Sequence, residues 1–139
     1  MWALRGRSVR AFRRRRGVTP SAEEIAPVLE SERDALLEER RRIEESISSQ
    51  SESDETGEVR DHLHHPADAA SATYDREQLA ARLESVEGLL RRVNRALEKL
   101  REGSYGVCDR CGDQIAPPRL EALPSACLCL DCQDREDLL

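Results

Sequence analysis

Five cysteines fall within residues 108 to 132, in the run CDRCGDQIAPPRLEALPSACLCLDC, and they are the residues here best suited to chemistry. Cys108 and Cys111 form one C-x-x-C and Cys129 and Cys132 another, with 17 residues between the pairs, a spacing in the zinc-ribbon range. Each pair is expected to bend into a tight knuckle whose backbone amides face the thiolates, and Gly112, directly after Cys111, suits a left-handed turn. Four thiolates close a tetrahedral shell, so the expected cofactor is one structural Zn2+ held by Cys108, Cys111, Cys129 and Cys132. Cys127 is then spare, because it stands only two residues before Cys129. Nothing near the cysteines is placed as a general base, and no strand-helix-strand context surrounds the C-x-x-C, so catalytic zinc and thiol redox chemistry are both disfavoured. No enzyme is expected. His62, His64, His65 and Asp68 form a second group of ligand types, but their spacing matches no zinc pattern.

Two apolar seams stand before the cysteines. Leu79, Leu83, Val86, Leu90, Val93, Leu97 and Leu100 alternate spacings of four and three, which is a heptad seam on a helix from about Ser71 to Glu102 with Gly103 as its stop. Leu29, Leu36 and Ile43, with Ala35 and Ile47, make a thinner seam on an earlier helix. Ser21 and Glu24 have the form of a capping box, yet Pro27 removes a backbone donor, so the continuous helix is predicted to begin at Pro27 and to fade near residue 49. The first half of the stretch 48 to 72 reads as a flexible polar loop; in its second half Pro66 fixes the chain and Asp68 can cap the helix that follows. Two seams in one chain bury each other most simply as an antiparallel hairpin, with self-association as the rival. Between the knuckles, Ile115, Leu120 and Leu123 can form a small apolar floor.

The chain has 139 residues, 36% of them charged and 3% aromatic, too few large apolar side chains for one sizeable globular core. Net charge is −6, but residues 1 to 17 hold seven arginines and no acid, and without them 15 basic residues face 28 acidic ones. An acidic body repels phosphate, so a protein partner is expected, and direct nucleic-acid binding is left to the arginine tail. No apolar run approaches a membrane span, and the clustered C-x-x-C pairs suit a reducing cytoplasm.

The stretch YGVCDRCGDQIAPPRLEALPSACLCLDCQ, preceded by the heptad helix and by HHPADAASATYDRE, resembles the DksA/TraR family of bacterial zinc-finger regulators over about residues 62 to 133. The resemblance implies a coiled-coil hairpin standing on a zinc end, and with the seams and composition above the expected fold is mainly α: a basic, disordered tail over residues 1–20, an antiparallel coiled-coil helical hairpin over 21–104 with its tip near 50–70, and a small four-cysteine zinc-finger module with a short C-terminal tail over 105–139. It also implies a non-enzymatic transcription regulator whose partner is RNA polymerase, the tip entering the secondary channel. Where founding members carry D-P-x-D-x-A at the tip, this chain has His65, Pro66, Asp68 and Ala70 in H-P-A-D-A-A, like the branch in which an H-P-A-D tip is usual. Arg92 and Arg119 match basic positions that some members use for the alarmone, whereas Leu123 and Gln133 do not, so alarmone binding is not implied. A zinc-stabilised coiled-coil adaptor without a polymerase role is the alternative.

Overall fold

The computed structural model describes residues 20–57 and 66–139, with the side chains of 53–57 and 66–68 left outside the description. The arginine tail and His65 lie outside the described residues, as do the side chains of Pro66 and Asp68. The described chain is four helices, α1 Ala22–Gly57, α2 Pro66–Glu102, α3 Pro117–Ala122 and α4 Leu130–Asp137. Among the described residues there is no strand, only one isolated bridge between Val107 and Gln114. Eight residues separate α1 from α2. At about 3.5 Å per residue they cannot run back along a helix of 36 residues, so the two long helices pair antiparallel.

The chain divides into two compact units, one of them Asp34–Leu90. Within that unit Ile43 packs with Val86 and Leu90, flanked by the half-buried Leu36, Ile47, Leu79 and Leu83. These are the heptad positions the sequence marks, and each fully buried aliphatic side chain contributes about 2 kcal/mol. Glu39 of α1 pairs with Arg82 of α2 across the same seam.

The other unit gathers the start of α1, the end of α2 and the cysteine module. Ile25, Leu29, Val93, Ala96 and Leu97 are buried there, and the apolar floor of the module is Ile115, Leu120 and Ala126 beside Cys108 and Cys132. Leu123 packs against that floor from a half-buried position.

The start of α1 differs from expectation. The helix begins at Ala22, not at Pro27, which sits inside it. The Ser21 carbonyl accepts the amides of Glu24 and Ile25 at 3.0 and 3.1 Å, and the Ser21 amide donates to Glu24 Oε2 at 3.2 Å. This is the reciprocal half of a capping box, and Ile25, fully buried, anchors the turn that proline weakens. The end of α1 differs as well: the stretch read as a loop from residue 48 stays helical to Gly57. Ser46, Ser49 and Ser51 turn their hydroxyls onto the carbonyls of Arg42, Glu45 and Ile47, each four residues back, so these polar side chains are satisfied inside the helix.

At its far end α2 closes as a Schellman motif. Gly103 adopts φ +77°, its amide reaches the Leu100 carbonyl at 3.4 Å, and the Ser104 amide reaches the Lys99 carbonyl at 2.9 Å. The turn delivers the chain straight into the first knuckle.

Candidate metal centre

Each knuckle is built by backbone hydrogen bonds that the local sequence permits. The Cys108 amide donates to the Asp113 carbonyl at 2.8 Å, and the Gly112 amide returns to the Cys108 carbonyl at 3.0 Å. Gly112 sits at φ +78° with open space where a Cβ would point, so the need for glycine there is conformational and not steric. The second knuckle runs from Cys129 into the first turn of α4, where the Gln133 amide donates to the Cys129 carbonyl at 3.0 Å.

The fold brings Cys108, Cys111, Cys129 and Cys132 together, with their Sγ atoms all within 4.8 Å of one another. A zinc tetrahedron with Zn–S bonds near 2.3 Å has S–S edges of about 3.8 Å. Cys111 Sγ and Cys129 Sγ stand 3.7 Å apart, so the donor set fits one structural zinc ion in both number and size.

The electrostatics of the bare thiols points the same way. Burial pushes the Cys108 thiol up, but donors from the Cys111, Cys129 and Arg110 backbones outweigh it and bring the group down to about 6. Cys132 is pushed up to about 12, first by its contact with Cys129, then by burial and by Cys108 and Cys111. Four thiols this close cannot all ionise by themselves, and a divalent cation at their centre reverses that balance and draws off the protons.

Cys127 is not part of the group: its thiol faces the carbonyls of Ser125 at 3.5 Å and Arg92 at 3.8 Å, and burial raises its pKa. Of the four tip residues the sequence singles out, Pro66 is the first residue of α2 and Asp68 lies in its first turn; Ala70 is exposed one turn on.

Sequence reasoning missed three residues beside the knuckle. Lys99, only 2% exposed, donates its ammonium to the Val107 carbonyl and, at 3.0 Å, to Asp109 Oδ1. Arg95 grips the same carboxylate with two bonds, Nε to Oδ2 at 2.9 Å and a terminal nitrogen to Oδ1 at 3.0 Å. The Arg95 bond and the Lys99 ammonium together hold Asp109 below the usual carboxylate range against the opposing pull of burial. No single-sequence signal links a helix lysine to an aspartate ten residues on.

Residues 103–137 match the family described as the prokaryotic dksA/traR C4-type zinc finger. An uncharacterised protein of Aquifex aeolicus is 37% identical over 113 residues, covering 77% of this chain and 74% of that one. The RNA polymerase-binding transcription factor DksA of Caulobacter vibrioides is 34% identical over 71 residues, which span 51% of this chain but only 50% of that protein's length. Among solved structures, the RNA polymerase binding protein and transcriptional regulator Dks of Chlamydia trachomatis is 32% identical, with 53% of this chain and 92% of that one covered and a TM-score of 0.37.

Proposed function

The chain belongs to the prokaryotic dksA/traR C4-type zinc-finger family, and from that premise we propose that it binds RNA polymerase and regulates transcription without catalysing a reaction of its own. Cys108, Cys111, Cys129 and Cys132 are the zinc ligands, and the ion is structural, since four thiolates leave no position for water or substrate. The junction between α1 and α2, with His65, Pro66, Asp68 and Ala70, is the surface that meets the polymerase, in its secondary channel. An Asp68 carboxylate brought near a catalytic Mg2+ or its ligands perturbs them, a task His65 cannot share because imidazole is a poor ligand for hard cations. The site of action is the cytoplasm; none of the described helices is long and apolar enough to cross a membrane.

The observation that carries this reading is the similarity to the Caulobacter factor, whose name records polymerase binding. The paired apolar seam of α1 and α2 supports it, because it makes a stiff mount for a short acidic segment. Transcription by purified polymerase in the presence of the zinc-loaded chain tests it. Wild type is expected to alter the yield from promoter complexes, and Asp68→Asn to lose that effect while still binding. A chain that neither binds polymerase nor alters transcription would return the reading to a coiled-coil adaptor.

A further inference from the structure

Asp109 follows the first zinc ligand directly, and it is tied in three directions. Its carboxylate is forked by Arg95 at 2.9 and 3.0 Å and touched by Lys99 at 3.0 Å. Its amide donates to the Cys127 carbonyl at 2.9 Å, two residues before the third ligand. Lys99 also donates to the carbonyl of Val107, so one buried ammonium holds the peptide that precedes Cys108 and the side chain of the residue that follows it. The other terminal nitrogen of Arg95 reaches Glu98 at 2.6 Å and Glu102 at 3.6 Å, which fixes the guanidinium along the helix.

These contacts do more than a surface ion pair does. Exposed pairs contribute little, but Lys99 is withdrawn from water and its acceptors among the described residues are Val107 and Asp109, so its charge is committed to the knuckle. A thiolate ligand must point at the metal to bind it, and contacts that favour that orientation of the ligand backbone lower the cost of ordering it and so raise affinity. We infer that Arg95 and Lys99 of α2 are positioning residues of the zinc centre, acting through Asp109, so that zinc affinity is set in part from the last two turns of the long helix. By reciprocity, bound zinc orders the end of α2. The inference rests on the four-cysteine zinc assignment proposed above.

The test measures zinc affinity of the full chain by competition with a chromophoric chelator, alongside the d–d bands of the cobalt(II)-substituted protein. Asp109→Asn and Lys99→Met are expected to weaken zinc binding by about 10- to 100-fold and to shift the tetrahedral cobalt bands, with Asp109→Glu recovering most of the affinity. Ile43→Val, which loosens the core of the other unit, is expected to move neither reading. Should Lys99→Met fail to fold, Arg95→Gln at its half-exposed position carries the same expectation. Variants that bind zinc as tightly as the parent, or that lose affinity with unmoved cobalt bands, overturn the inference and leave the clamp a contributor to stability only. A parent chain that binds no zinc overturns the zinc assignment itself, and the inference with it.

Discussion

The Tyr105 hydroxyl donates to the Pro124 carbonyl at 2.7 Å, closing the cysteine module from the side of its apolar floor. Burial first, and the neighbouring Cys127 second, push the phenol above its ordinary range. A phenol that stays neutral in the fold but ionises when unfolded stabilises the fold below the unfolded pKa, near 10, and that stability is lost as pH rises further. Tyr105→Phe is therefore expected to cost about 1–2 kcal/mol in urea unfolding at pH 8, by leaving the Pro124 carbonyl unpaired, and to flatten the decline of stability between pH 9 and 11. An unchanged alkaline slope would show that the phenol does not titrate as argued. At this scale the cysteines were legible because metal geometry constrains their spacing, and Gly112 because a left-handed turn constrains residue type. Lys99 was not legible: a lysine on a helix reads as solvent-facing, and its burial depends on where a Schellman turn throws Val107 and Asp109.

Pro27 sits in α1 where its missing amide leaves a carbonyl one turn back without its helical partner, and its ring faces solvent. Pro27→Ala is expected to raise stability by about 1–3 kcal/mol, whereas Ile25→Ala, fully buried one turn before Leu29, is expected to lose about 2–4 kcal/mol. Urea midpoints of the zinc-loaded variants check both, and a destabilised Pro27→Ala would mean that proline rigidity, not helix continuity, governs this turn. The seams on α1 and α2 were readable because heptad spacing is a tertiary constraint written into sequence. The bounds of α1 were not, since a proline and a serine-rich run argue locally against helix. Burial of Ile25 outweighs the first, and back-bonding hydroxyls remove the second.

Across the chain, the cysteine module has only Ile115, Leu120 and Ala126 as its buried floor beside two of the thiols, too little apolar surface to hold about 30 residues without the ion. Chelation is therefore expected to expose the amides of residues 104–137 to rapid hydrogen exchange while those around Ile43, Val86 and Leu90 stay protected, and uniform loss across both regions would contradict that. The fold class was legible at this scale. The division into two units was not, because it follows contacts made by distant parts of both long helices. The central claim is that the α1–α2 junction engages RNA polymerase. Its most direct test places a photo-crosslinking amino acid at Ala70, exposed one turn into α2, or at Leu130, 59% exposed in α4, and irradiates the zinc-loaded chain with core RNA polymerase. The account predicts an adduct with polymerase from position 70, competed away by unlabelled chain and much weaker from position 130. Equal labelling from both positions, or none from position 70 at saturating polymerase, would contradict it.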